Sequence, residues 1–240
     1  MKIKKYLPLI IFVLGLLAMV VLIFGVLRGR KEAEPADEDM VAEIPFEKRP
    51  FVSLVPSEDG HWLKMAIDMI KVDAVTLDYE LLYQTDAGIT QGVPGTAKIE
   101  VGAKIERDLL LGSESSGKFR YDEGVEEGTL TLRFRDGGGK LVGKLSTQFR
   151  LLSDIDEVEY GQFKFMIDGD YEGFIVVMET FGLPKEFQRP ITSGPFGVFG
   201  SDSSLAGDVE IEGSAYFWDG TDWVSVSKTS SAGVFIGSSE

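Results

Sequence analysis

Cysteine is absent from this chain of 240 residues, and histidine occurs once, as His61. Without thiols the protein has neither a thiolate nucleophile nor a zinc site with cysteine ligands. A single imidazole also excludes metal sites built on several histidines and weakens the case for a Ser-His-Asp triad. Because no catalytic apparatus is recognisable, we predict that the protein is not an enzyme.

Basic residues are scarce: the chain has 24 of them against 39 acidic residues, a formal net charge of −15. Six of the basic residues and none of the acidic ones fall within the first 31 positions, so the rest of the chain has a net charge of −21. A surface this acidic repels phosphate groups. We therefore expect no binding to nucleic acid.

Charged residues are missing altogether from Leu7 to Leu27, a run of 21 mostly apolar residues. A helix of this length spans roughly 31 Å, the thickness of the hydrocarbon core of a bilayer. Arg28-Gly-Arg-Lys31, which follows the run, lacks the small residues of a signal-peptide cleavage site. The pattern predicts a transmembrane helix over residues 7–27, preceded by a short tail, residues 1–6.

Basic residues are equally frequent on the two sides of this helix, so they favour neither orientation clearly. A short tail before a first hydrophobic segment commonly stays inside, so we expect the N-terminus in the cytoplasm and residues 28–240 outside the cell membrane. Residues 28–50 are acidic and contain three prolines, which is typical of a linker. Residues 51–240 then form an extracytoplasmic domain.

Alternation of apolar and polar residues is clearest between Gly128 and Leu152, on both sides of a glycine-rich turn at 136–140. This period of two predicts a β-hairpin with one buried face. Similar alternation recurs along the chain, and residues 181–207 are predicted to be a long Pro/Gly-rich loop. We expect a mainly β domain, an antiparallel β-sandwich of roughly ten strands, with two smaller sandwiches as the alternative.

The segment Gly112–Lys118 matches part of a phosphate-binding loop, G-x4-G-K. The next residue is Phe119, so the hydroxyl group that would ligate Mg²⁺ is missing. The following residues have the pattern of a strand, whereas the motif requires a helix N-terminus. We interpret the segment as a turn and expect no nucleotide to bind.

An acidic stretch, Asp168–Glu179, has spacing that resembles an EF-hand loop. Because Phe174 and the residues after it have the pattern of a strand, Glu179 lies too far away to close on Asp168. A smaller calcium site formed by Asp168, Asp170 and Glu172 remains a hypothesis, and the alternative is an acidic turn.

Aromatic residues alternate near the C-terminus, where Tyr216 and Trp218 are predicted to lie on the outer face of a hairpin and Trp223 joins them from the opposite strand. Val224 is expected on the buried face. With Asp219 and Asp222 in the turn, the three aromatics are a candidate ligand-binding site suited to stacking on a sugar. The simpler interpretation is a cross-strand aromatic pair that stabilises the sheet.

The leading functional hypothesis is a membrane-anchored binding or interaction module outside the cytoplasm, which recognises a glycan or a protein of the cell envelope. One alternative is an envelope hydrolase that uses Asp and Glu carboxylates, although no pair can be singled out among 39 acidic residues. Another is a structural subunit of a surface assembly, in which an exposed strand edge recruits another chain.

Overall fold

The computed structural model describes residues 41–100, 102–226, 228–229 and 231–239. The predicted anchor, residues 7–27, and most of the predicted linker lie outside these ranges. Within them, no helix combines the length and apolar character needed to cross a membrane.

The described residues form eighteen strands and one 3-10 helix, Phe46–Lys48. The strands in chain order are β1 Phe51–Pro56, β2 Trp62–Asp68, β3 Thr76–Gln84, β4 Thr90–Lys98, β5 Ile105–Leu110, β6 Gly112–Ser115, β7 Lys118–Tyr121, β8 Glu127–Arg135, β9 Leu141–Leu152, β10 Glu157–Tyr160, β11 Phe163–Ile167, β12 Ile175–Glu179, β13 Ile191–Gly200, β14 Gly207–Glu210, β15 Ser214–Trp218, β16 Trp223–Ser225, β17 Lys228–Thr229 and β18 Gly233–Ser238. The prediction of a mainly β protein is confirmed. The number of strands is larger than the predicted ten because strands of two to four residues are too short to show alternation.

A nine-stranded sheet is the centre of the fold, with the order β16-β15-β18-β13-β12-β9-β8-β3-β4. Each strand pairs antiparallel with its neighbour. Two smaller sheets, β1-β2-β5 and β10-β11-β14-β17, and the two-stranded hairpin β6-β7 complete the described structure.

The two smaller sheets cover opposite faces of the central sheet, as the side chains of β12 show. Val176 and Met178 belong to one hydrophobic core, which they share with β1, β2 and β5. Ile175 and Val177 belong to a second core, which they share with β10 and β11. Because successive side chains of a strand point to opposite faces, β12 is covered on both sides.

The hairpin predicted between Gly128 and Leu152 is confirmed as β8 and β9. Their inward residues include Leu130, Leu132, Phe134 and Phe149, each with no exposed surface. The turn between them is closed by the Asp136 carboxylate, which accepts hydrogen bonds from two backbone N–H groups at 2.9 and 3.0 Å.

The predicted loop over residues 181–207 is wrong for its central part, because residues 191–200 form strand β13. Both faces of this strand are buried between the two cores, so its sequence lacks the alternation of a half-exposed strand. Phe181, Phe196 and Phe199 are buried, as expected of aromatic residues that fix a segment to the core.

The packed domain also extends further towards the N-terminus than residue 51. Ile44 is 5% exposed and belongs to the core shared with the three-stranded sheet. Its side chain lies over Gly143 of β9, where a Cβ atom would come within 2.6 Å of it. Residues 44–50 are therefore part of the packed structure.

Candidate binding site

A cleft with a volume of about 690 Å³ lies beside the 3-10 helix. Three separate segments form its walls: residues 46–49, residues 69–71 and residues 183–194. Its apolar lining residues are Phe46, Met69, Leu183, Phe187 and Ile191. A volume of this size is typical of sites that enclose a small molecule or a few side chains of a partner.

Three cations line the same cleft, although the domain as a whole is acidic. Arg49 donates a hydrogen bond to Glu43 at 2.8 Å, and Lys71 forms an ion pair with Glu186 at 3.3 Å. Arg189 differs from both, because no described carboxylate lies within ion-pairing distance of its guanidinium.

Arg189 is held by an aromatic residue instead. Its guanidinium donates a hydrogen bond to the Tyr216 hydroxyl group and lies 5.3 Å from the centre of the Tyr216 ring. A cation over an aromatic face keeps its full charge while its position is fixed. Arg189 is therefore an oriented cation at the edge of an apolar cleft, which suits recognition of a carboxylate.

The predicted aromatic site lies directly behind this cleft. Trp218 and Trp223 face each other across the β15–β16 hairpin, with ring centres 5.7 Å apart, as the register of the two strands requires. Phe187, which lines the cleft, packs against both Tyr216 at 5.0 Å and Trp223 at 5.7 Å.

The loop before β13 covers much of the aromatic surface that was expected to face solvent. Tyr216 is only 9% exposed because Phe187 lies against it, so its predicted outward position is wrong. The Trp223 indole N–H donates to the backbone oxygen of Lys185 at 3.0 Å. Val224, predicted to be buried, is 36% exposed because the described sheet ends at β16.

The carboxylates of Asp219 and Asp222, which belong to the predicted site, form contacts within the protein. Asp219 accepts hydrogen bonds from the backbone N–H groups of Asp222 and Thr221, each at 2.8 Å, and these bonds hold its pKa below the usual range. Asp222 forms an ion pair with Lys185 at 3.4 Å. Both side chains therefore stabilise the turn and the loop that packs over it.

The acidic residues Asp168, Asp170 and Glu172 lie exposed in the connection between β11 and β12. Across the described ranges, no three His, Asp or Glu side chains converge in the manner of a metal site. Calcium binding at these three residues stays a prediction. Strand β12 begins at Ile175, which confirms that Glu179 lies on an extended segment.

Within Gly112–Lys118, the predicted turn is confirmed only at the centre of the hairpin β6-β7, since Gly112–Ser115 form strand β6. The two central residues of the hairpin, Ser116 and Gly117, have φ angles of 53° and 76°, the conformation of a tight two-residue hairpin turn. A phosphate-binding loop requires a helix after the turn, but strand β7 follows it here.

Sequence reasoning missed a second aromatic group, which we call the distal aromatic cluster: His61, Trp62, Phe119 and Tyr121. The His61 and Tyr121 rings stack at 4.1 Å with planes 5° apart. Phe119 packs edge-on against Trp62 at 5.5 Å and remains 47% exposed. The alternation of Phe119 and Tyr121 in one strand was the available signal, but it did not identify their partners His61 and Trp62 at the start of β2.

Glu179 is a carboxyl group that lies outside the cleft. Burial raises the pKa of Glu179, against the opposing effect of Arg49.

Comparisons with protein-family models, with curated proteins and with solved structures give no match for this chain.

Proposed function

We propose that this protein is a membrane-anchored binding module, whose antiparallel β-sandwich domain lies outside the cytoplasm and captures an envelope protein in the 690 Å³ cleft. The uncharged run over residues 7–27 supports the anchor, and the short tail before it supports a cytoplasmic N-terminus. The acidic character of the domain supports a partner that is neither nucleic acid nor nucleotide.

The observation that carries this proposal is the combination of an apolar cleft with an oriented arginine. Phe187 and Met69 offer apolar contact, while Arg189 supplies a cation that no described carboxylate neutralises. A segment of a partner protein with a carboxylate beside an apolar side chain satisfies both features. The rest of the domain surface is acidic and would repel negative charge on the partner. The partner's carboxylate should therefore lie at the cleft.

Binding at the cleft is measurable through Trp223, since this indole packs against Phe187. We expect the full-length chain in lipid nanodiscs to show a saturable change in tryptophan fluorescence with a short peptide of alternating glutamate and leucine. The Arg189→Gln variant should bind this peptide about tenfold more weakly, which is the usual cost of losing one charge-assisted contact. Arg120→Gln removes another exposed arginine outside the cleft lining and serves as the matched control.

Two outcomes would contradict the proposal. One is equal binding by the wild type and the Arg189→Gln variant. The other is equal binding of a peptide with lysine in place of glutamate, because the cleft would then select for apolar contact alone.

A second candidate is recognition of an envelope glycan at Trp218 and Trp223. The observation in its favour is that Trp218 borders a shallow depression of about 330 Å³, which also contains Phe51 and Phe199. Titration with envelope polysaccharides should then shift the tryptophan fluorescence, and Trp218→Phe should abolish the shift. No change with any polysaccharide would remove this candidate.

The hydrolase and the structural subunit remain less favoured alternatives. Turnover of an envelope polysaccharide would support the hydrolase, and self-association of the domain would support the structural subunit.

A further inference from the structure

The distal aromatic cluster lies at the opposite end of the three-stranded sheet from the cleft. Strand β1 starts at Phe51, two residues after Arg49 of the cleft, and pairs there with Asp68 at the end of β2. Trp62 begins β2 at the other end of the pair. At 3.3 Å per residue, about 20 Å of strand separates the two regions.

The orientation of Trp62 is fixed by the alternation of β2. Leu63, Met65 and Ile67 point into the core and have no exposed surface. Trp62 therefore lies on the outer side of the sheet, on the same face as Lys64. Phe119 of the hairpin β6-β7 packs against it from beyond the end of the sheet.

The hairpin is held in place without help from the exposed ring of Phe119. The Tyr83 hydroxyl group donates to the Asp122 carboxylate at 2.9 Å, just after β7. Backbone bonds also join Leu111 to His61 and Asp122 to Leu111. These contacts fix both ends of the hairpin. The hairpin therefore does not need Phe119, which is 47% exposed, to hold it in place.

The rings present flat surfaces in a regular arrangement. Phe119 and Tyr121 have ring planes only 6° apart and centres separated by 6.4 Å, and His61 continues the stack on Tyr121. Trp62 stands at 72° to Phe119 and forms a side wall. Polar side chains flank the rings: Glu114 pairs opposite Phe119, and Lys64 shares the outer face of the sheet with Trp62.

We propose that the distal aromatic cluster binds an uncharged saccharide chain by stacking. The electron-rich face of an aromatic ring attracts the C–H groups on the apolar side of a sugar, and the surrounding polar groups suit its hydroxyl groups. A stable protein interface needs about 800 Å² on each partner, which far exceeds the surface of one exposed phenylalanine and its half-buried neighbours. Glu114, which pairs opposite the exposed Phe119, disfavours an anionic saccharide.

This site is separate from the cleft and extends the proposed function, because a tethered domain with two binding ends can hold a protein and a glycan at once. Isothermal titration of the full-length chain in lipid nanodiscs with cellohexaose and chitohexaose tests it. We expect at least one of the two to bind, and Phe119→Ala to weaken that binding by about tenfold or more.

Phe119→Leu distinguishes loss of stacking from loss of the hairpin, since leucine keeps apolar contact with Trp62 but has no ring face. We expect this variant to bind as weakly as Phe119→Ala. Phe187→Ala, which changes the cleft, should bind the saccharide like the wild type. Failure of both hexaoses to bind the wild type would overturn the proposal, as would undiminished binding by Phe119→Leu.

Discussion

Asp78 shows how a single side chain stabilises the solvent-facing side of the central sheet. Burial opposes its ionisation, but hydrogen bonds from Arg135 at 2.6 Å and Thr96 at 2.8 Å outweigh this effect and hold the pKa of Asp78 below its usual value of 3.8. The three residues belong to three adjacent strands, β3, β8 and β4. The ionised carboxylate therefore joins the edge of the sheet to its interior.

Asp78→Asn should lower the free energy of unfolding at pH 7 by about 1 kcal/mol, the usual value of one charge-assisted hydrogen bond at a partly exposed site. Because the folded state lowers the pKa, this stabilisation is present above pH 3.8 and is lost as the pH falls through the lowered value. Urea titrations of both proteins across this range would measure it.

The control is Asp73→Asn, since Asp73 is exposed and lies just before the same strand. This variant should unfold at the urea concentration of the wild type. A loss of stability in Asp78→Asn that stayed constant down to the lowest pH would mean that the charge of Asp78 is not responsible.

Strand β4 forms one edge of the central sheet and would offer its free backbone groups to another chain. Its residues are mostly exposed, and Pro94 lies at its centre, paired opposite Glu80. Proline is tolerated on edge strands because its missing N–H can face solvent. The residue interrupts the row of donors on which an added strand would pair.

Pro94→Thr should restore that donor and promote pairing between the edges of two molecules. We expect sedimentation velocity at increasing protein concentration to show dimers of the variant where the wild type stays monomeric. Pro190→Thr, at an exposed position outside the strands, is the control and should leave the association state unchanged. Association of the wild type itself would instead favour the structural-subunit hypothesis.

Individual elements differ in how well their sequence predicts them. The hairpin β8–β9 was predictable because one face is buried and the other is in water, which produces alternation along both strands. Strand β13 was not predictable from alternation, because cores on both sides require apolar side chains at consecutive positions, as in Val198 and Phe199.

The sites show the same contrast. The pairing of Trp218 with Trp223 was predictable because a short turn fixes the register of a hairpin. The cleft was not, because its walls come from three segments that are far apart in the chain. The burial of Tyr216 was missed for the same reason: Phe187, which covers it, reaches it through the tertiary fold.

Residues 44–50, which precede β1, act as part of the domain. Ile44 closes the core over Gly143, and Arg49 donates a hydrogen bond to the backbone oxygen of Ile44 at 2.9 Å. Burial of one aliphatic side chain of this size contributes about 2 kcal/mol or more. The domain should therefore depend on a segment that composition alone assigns to a linker.

Ile44→Ala should lower the free energy of unfolding by about 2–4 kcal/mol, because it leaves a cavity above Gly143. Urea unfolding followed by circular dichroism would measure the loss. Ile89→Ala removes the same atoms from a side chain that is 56% exposed and should change stability by less than about 0.5 kcal/mol. Equal stability of the two variants would show that residues before 51 do not stabilise the domain.

The antiparallel pairing of β1 and β2 also determines how the domain responds to force. A pull between residue 50 and Trp62 acts along the two strands in opposite directions, since these residues lie at opposite ends of the pair. All six residue pairs of the ladder then resist together, whereas a pull on adjacent strand ends would separate them one after another. If one partner is bound near Arg49 and another at Phe119, tension between them would load the β1–β2 ladder along its strands rather than pair by pair.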